Sequence, residues 1–471
     1  MKKIYLLIFL SFFVFACSDS HYVAEKLLWQ AEKNTKELLK NKSNRLSSDD
    51  YEKIISYYRE VTERVPLDTL SSKAHFFITD ILLREGKYEE ARKELRVVIN
   101  NFSSSGAIAS QAYFAIGRIF ESQGKWEEAK EEYDKIIDLY PLTNIGLNLP
   151  LYIVQHYTLK NNNKEKESAY RKALRHYKGL IEEYKDTSVV PLVKDYLARA
   201  KLNHGNLEEA LSVWDEIKNE YSASPLAIKA LFTKARLYER ELNDKKQAIK
   251  EYQEFIEKYP NHKTIPEVKF KIAMLFLEDS QVTKAKDIFG ELLRDYSSDS
   301  KLCIKSILGL ALCYRKEADT EKVISAYQKI KKEYPQSKAA LSVPFLIGQY
   351  YLEEKYNSKA SQAFQEAIRE YKKKLEEAKD NILYKREIAN LLALCYLKNN
   401  QIEEAIKMLN SLAERYSKEP VYLIDLATLY RILNNKEKAI EVYEKLIKRF
   451  PKNPTVLKLA YQQIEALRSE E

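Results

Sequence analysis

Along "GKWEEAKEEYDKIIDLYP", residues 124 to 141, apolar side chains recur at steps of three and four, with acids and lysines between them. That is the beat of a helix with one buried face. Near-copies flank it: "GKYEEARKELRVVINNF" from Gly86 and "GNLEEALSVWDEIKNEY" from Gly205. Aligned on the Ala of "EEA", the phrase has reference residues Ile54, Ala91, Ala129, Ala173, Ala210, Ala248, Ala285, Val323, Ala360, Ala405 and Ala439. Most neighbours lie 37 or 38 residues apart, but 44 separate Ala129 from Ala173 and 45 separate Ala360 from Ala405.

Large apolar groups stand four and eleven residues after the reference, as Tyr133 and Tyr140 do after Ala129. The offsets keep one stripe on a helix, here helix B. Pro66, Pro141, Pro260, Pro335 and Pro451 stand twelve after it and stop the helix, since proline disfavours α geometry in the residue before it. Five before the reference come Gly86, Gly124, Gly205, Asn400 and Asn434. These types tolerate the left-handed turn that ends a helix, so an earlier helix A must finish there. Its stripe pairs a small residue twelve before the reference with large ones, as in Ile116, Gly117 and Phe120. The spacing of 44 predicts a helix B lengthened at its start, through "NNNKEKESAYRKAL". The spacing of 45 predicts one lengthened at its end, through "YKKKLEEAKDN". "NKSNRLSSDD", 41 to 50, reads as a polar loop, and Asn453-Pro454 predicts a last helix over about 454 to 468.

This register resembles the tetratricopeptide repeat, with small residues at its eighth and twentieth positions, large ones at the eleventh and twenty-fourth, and Pro at the thirty-second. The fold implied is all-α: an α-solenoid, wound as a right-handed superhelix, of about eleven helix pairs plus a C-terminal capping helix. "YPQSKAALSVPFLIGQYYLEEKYNSKASQAF" is similar to repeats of two envelope families, the outer-membrane barrel-assembly lipoprotein and the Tol-Pal coordinator. The family's concave groove is lined by helix A. On this chain that implies a partner-binding ladder of Phe76, Phe114, Phe232, Phe270 and Phe345 with Arg118, Arg199 and Arg236. Rings and guanidiniums in that order suit an extended peptide or amphipathic helix bearing acids; the alternative is that the rings pack against neighbouring repeats and the arginines pair with nearby acids. The Lys and Asn pair by which chaperone-binding members grip a terminal carboxylate does not occur.

The amino terminus follows another pattern. "MKK" is basic, "IYLLIFLSFFVF" is apolar, and "VFAC" follows. A basic start, a short apolar stretch and a small residue before the boundary make a secretory signal. Val14-Phe15-Ala16-Cys17 resembles the bacterial lipobox, which implies acylation of Cys17. The expected organisation is a signal over 1–16, a lipidated tether over 17–24, the solenoid over 25–453 and a capping helix and tail over 454–471.

Only 10 Gly and 12 Pro occur in 471 residues, which favours helix over a many-stranded sheet. The net charge of +9 falls to +7 without Lys2 and Lys3, and both signs are mixed along the helices, so no nucleic-acid stripe is expected. Cys303, Cys313 and Cys395 occupy no CxxC pair, and Cys313 and Cys395 align with Ile and Leu of other repeats, which predicts core fillers. His21, His75, His156, His176, His204 and His262 are dispersed, without HExxH, and no GxGxxG, GxxxxGK or GxSxG occurs. No metal, cofactor or catalytic residue is therefore expected. The partners expected are other envelope proteins or peptide segments, with the membrane reached through the lipid and no nucleic acid. The expected role is a scaffold in the cell envelope, anchored to the outer membrane and facing the periplasm. The alternative is a surface-exposed lipoprotein that binds extracellular or host ligands.

Overall fold

The computed structural model describes residues 2–40, 46–378 and 381–469, with side chains described from Ser20 onward. The Cys17 side chain, and with it the lipidation expectation, lies outside the described residues. Among those residues there are 23 α-helices, no strand, and no helix long and apolar enough to cross a membrane.

Two compact units divide the chain, residues 1–234 and 235–471. The first holds α1 (Lys2–Lys40), α2 (Ser48–Arg64), α3 (Thr69–Arg84), α4 (Tyr88–Asn101), α5 (Gly106–Ser122), α6 (Trp126–Leu139), α7 (Asn144–Leu159), α8 (Asn163–Glu183), α9 (Val190–Asn203), α10 (Leu207–Glu220) and the start of α11 (Pro225–Arg240). The second holds the rest of α11, then α12 (Lys245–Lys258), α13 (Ile265–Glu278), α14 (Val282–Asp295), α15 (Ser300–Lys316), α16 (Thr320–Glu333), α17 (Lys338–Glu353), α18 (Asn357–Glu377), α19 (Ile382–Lys398), α20 (Ile402–Arg415), α21 (Val421–Ile432), α22 (Lys436–Arg449) and α23 (Pro454–Ser469). Odd-numbered helices are helix A and even-numbered ones helix B, so eleven pairs precede the capping helix α23, whose N-terminus Asn453 caps through Val456 N–H at 3.2 Å. Within each unit successive helices pack together. Helix A also touches the next helix A, as α5 does α7 and α17 does α19.

Residues five before the reference take positive φ in every pair from α3–α4 onward. Gly86, Gly124, Gly205, Asn400 and Asn434 do so as expected, and Asn161, Asn243, Ser280, Ala318 and Lys355 join them. The amide that follows reaches back to the carbonyl of the large residue near the end of helix A: Lys125 to Phe120 at 2.9 Å, Gln281 to Phe276 at 2.8 Å and Tyr356 to Tyr351 at 2.8 Å. Those bonds satisfy carbonyls that the end of a helix would otherwise leave open.

Asn161 corrects the sequence alignment. Counting five onward from it, the reference of the α7–α8 pair is Lys166, and Ala173 stands seven further along the same helix. Seven residues make nearly two turns, so a shifted frame shows almost the same apolar stripe. The spacing from Ala129 is then 37, and α8 is not lengthened at its start. Like α18, it runs on at its end, and both helices have 21 residues where α6 has 14. Of the polar loop expected over 41–50, residues 41–45 lie outside the described residues, and Ser48, Asp49 and Asp50 belong instead to the first turn of α2, because Ser47 forms a capping box with Asp50 and so starts the helix there.

Small residues let each pair close. Ala91, Ala129, Ala210, Ala285 and Ala405 are fully buried beside large buried rings such as Tyr133, Phe289 and Tyr443. A Cβ on Gly117 would meet the Tyr133 ring at 2.2 Å, and one on Gly348 would meet Phe364 at 2.6 Å. Cys303, Cys313 and Cys395 are buried and unpaired, as core fillers should be. Burial pushes the Cys313 thiol up to about 11 and the Cys395 thiol up to about 12, so neither is a thiolate at neutral pH.

Candidate interaction surface

The ladder residues all stand on helix A, spaced so that Phe114 and Arg118 lie one turn apart on α5, as Phe232 and Arg236 do on α11. Phe76, Phe114, Phe232, Phe270 and Phe345 are half-buried. Three of them rest an inner edge on the ring that helix B of the same pair offers: Phe114 on Tyr133 at 5.5 Å, Phe270 on Phe289 at 5.6 Å and Phe345 on Phe364 at 6.1 Å. Phe76 packs against the core of the first unit. Phe76, Phe114, Phe270 and Phe345 therefore each have a structural task, and only an outer edge is left to meet another molecule.

The arginines divide. Arg118 donates to Glu121 at 2.5 Å and to the Tyr152 hydroxyl of α7 at 2.8 Å, and Tyr152 donates to Glu121 at 2.8 Å. Burial, together with the bond to Glu121, raises the Tyr152 phenol, and burial raises Tyr133 beside it. Arg199 pairs with Asp195 at 2.8 Å and lies over the Tyr196 ring at 5.3 Å. Arg236 is exposed. These helix-A faces thus present half-exposed rings beside cationic heads, of which Arg118 and Arg199 already have acidic neighbours.

The sequence did not reveal how neighbouring pairs are joined. In the first unit Asp195, 3% exposed, accepts from Trp214 Nε1 at 3.1 Å and Lys229 Nζ at 2.9 Å as well as pairing with Arg199. In the second, Lys271 reaches Glu239 at 3.2 Å, Arg315 reaches Glu353 and Glu354 at 2.6 and 2.7 Å, and Arg386 grips Asp425 with both arms of its guanidinium. Between successive B helices, Arg59 holds Glu94 through two bonds of 2.9 Å and Arg96 reaches Glu132 at 2.6 Å. Burial works against ionisation of Glu94, but bonds from His75 and Arg59 outweigh it and hold the carboxyl below its usual range. The available signal was opposite charges 32 to 39 residues apart, at fixed offsets in adjoining repeats.

That second ladder stops at α6–α8. Asp134 stands where the earlier junctions have Arg59 and Arg96, and Ala169 where they have Glu94 and Glu132. At this junction lies a pocket of about 350 Å³, lined by Ile137, Pro150, Ile153, Tyr157, Ala169 and His176 together with the charged groups of Lys130, Asp134, Asp138, Glu165 and Lys172. Burial lowers the His176 imidazole, and its Nε2 has no hydrogen-bond partner. Among the described residues no three His, Cys, Asp or Glu side chains gather as a metal site.

Tetratricopeptide-repeat models match residues 111–143, 229–262, 267–299 and 305–337, and also 359–423 and 421–453; a PPR-repeat model matches 197–221. No curated protein matches the sequence. Among solved structures, similar chains occur in the Naa15/Naa10 complex bound to HypK-THB (14% identity, 93% of this chain and 65% of that one, TM-score 0.42). Yeast Tom70 is similar at 13% identity, over 95% of this chain and 96% of that one, with TM-score 0.33. A tetratricopeptide repeat protein from Parabacteroides merdae is similar at 14% identity, over 60% and 98%, with TM-score 0.31. The chain thus spans 65% of the length of the first of these. With six matched segments, a left-handed turn five residues before each reference from Ala91 onward, and eleven A–B hairpins, the chain carries tetratricopeptide repeats in both of its units.

Proposed function

We propose that this protein is a scaffold of the bacterial cell envelope, held to a membrane by acyl chains on Cys17 and binding envelope proteins along its helix-A faces. The observation that carries this reading is the combination, in one chain, of "VFAC" directly after a basic and apolar leader with eleven interaction-type helix pairs. Each buried methylene adds about 0.8 kcal/mol of membrane affinity, so several acyl chains hold a protein without a spanning helix. Confined to the membrane plane, the repeats meet their partners at raised effective concentration. The similarity of residues 334–364 to repeats of barrel-assembly and Tol-Pal proteins supports an assembly role at the outer membrane, facing the periplasm.

In-cell crosslinking followed by mass spectrometry tests partner choice. Arg118→Glu with Arg236→Glu is expected to abolish the crosslinks while leaving helical content unchanged, because both heads are exposed. Crosslinks that persist in that variant count against the helix-A faces. Incorporation of an alkyne-labelled fatty acid, lost in Cys17→Ser, tests the anchor. Protease shaving of intact cells decides the leaflet: a periplasmic chain survives, whereas degradation supports the surface-exposed alternative.

A further inference from the structure

Tyr22, Lys26, Trp29, Lys33, Lys36 and Lys40 follow one another on α1 at steps of four, three, four, three and four. Such steps draw a single line along a helix. All six residues are exposed, Tyr22 at 67% and Trp29 at 60%. The opposite side of α1 is occupied: Ala24, Leu27, Leu28 and Ala31 are buried in the core of the first unit, and His21 bonds to Asp68 at the head of α3 at 2.9 Å. The helix therefore cannot roll its rings inward. Lys33 lies over the Trp29 ring at 5.3 Å, while Glu25, Glu32 and Glu37 stand to the sides of the line, Glu37 4.0 Å from Lys33.

Two large exposed rings with polar tips stand at one end of the line and four exposed lysines along the rest. They are the residue types that settle at a headgroup boundary, where an indole or phenol is amphipathic and a lysine lays its stem on apolar surface while its ammonium meets phosphate. The line runs about 27 Å, at about 1.5 Å per residue, and it starts five residues after Cys17, with both rings at that end.

Building on the Cys17 anchor proposed above, we propose that this stripe is a docking face for an anionic bilayer, which lays α1 along the headgroups and fixes how the first unit stands on the membrane. The charge along the line has one sign, and each lysine near an anionic surface strengthens partitioning by about fivefold. Acyl chains alone would leave the body free to swivel; the stripe removes that freedom.

The full chain, reconstituted in vesicles whose acyl chains carry bromine near the glycerol end, tests the idea. Tryptophan emission is expected to be quenched on phosphatidylglycerol at least threefold more than on phosphatidylcholine. The difference should vanish in Trp29→Phe and in the combined Lys26→Glu, Lys33→Glu, Lys36→Glu and Lys40→Glu variant, with circular dichroism unchanged in both. Equal quenching on the two lipids, or quenching that survives the lysine reversals, overturns the docking face. The intact mass of the same preparation reports acylation of Cys17 separately. An acylated chain with Trp29 unquenched keeps the anchor and refutes the stripe; an unacylated chain quenched only on phosphatidylglycerol does the reverse.

Discussion

The α7–α8 pair of the first unit and the α17–α18 pair of the second share a plan that no other pair has among the described residues. Each joins a 16-residue helix with an internal proline, Pro150 or Pro344, to a 21-residue helix. A proline inside a helix lacks an N–H and crowds the preceding turn, opening the hydrogen-bond ladder. In both pairs a buried tyrosine of the long helix fills the opening. Tyr177 donates to the Leu147 carbonyl at 2.7 Å, and Tyr371 donates to the Leu341 carbonyl at 2.7 Å while accepting from the Phe345 amide at 3.3 Å. Leu341 and Phe345 are four apart, so the hydroxyl sits inside what would be a helical bond. Burial raises both phenols well above their ordinary value, and they remain donors.

Around that shared device the fillings differ. Gly348 lies under the Phe364 ring. The first pair has Val154 in that place, and its corresponding ring, Tyr170, stacks on His204 of the next pair at 3.7 Å and accepts from Asn206 at 3.1 Å. The backbone solution depends on three atoms and recurs; the packing depends on which neighbour a ring leans on and need not.

Exchanging residues between the pairs puts this to work. Gly348→Val, which gives the second pair the residue of the first, should have the largest effect. Phe364 is 1% exposed and cannot yield, so about 3 kcal/mol of stability should be lost in urea denaturation. Adding Phe364→Ala should recover part of that loss, and strictly additive costs would show that the two residues do not compete for space. Next come Tyr177→Phe and Tyr371→Phe, each expected to cost about 1–3 kcal/mol by leaving a buried carbonyl unpaired, and to speed amide exchange at Leu151 and Phe345. Markedly unequal costs would mean that the resemblance between the pairs is superficial. The smallest effect is expected at the turns. Lys355, at φ 64°, occupies the position of Asn161, at φ 53°. Asparagine tolerates the left-handed region better, so Lys355→Asn should raise the unfolding free energy by about 0.5–1 kcal/mol, read as a higher urea midpoint at unchanged slope.

Much of this was legible because the repeat states each rule many times. The references from Ile54 to Ala439, the proline stops and the capping helix could be read with no tertiary information, except at Ala173, where the helical period itself hid a shift of nearly two turns. The candidate surface was legible only as positions. That Phe114, Phe270 and Phe345 stand on helix A follows from counting; that each leans on a ring of helix B, and that Arg118 and Arg199 already have acidic partners, does not.

The order of apolar, small and turn-forming residues by itself determined the hairpins, because a helix and its end are decided within a few residues by local geometry and hydrogen bonding. Only the tertiary structure decided where Tyr177 and Tyr371 find their carbonyls, which charges are consumed between neighbours and which face of α1 remains outward. Those outcomes depend on atoms some 20 to 40 residues apart in the chain, brought within reach only by the packing of helix on helix within a pair and of one pair on the next.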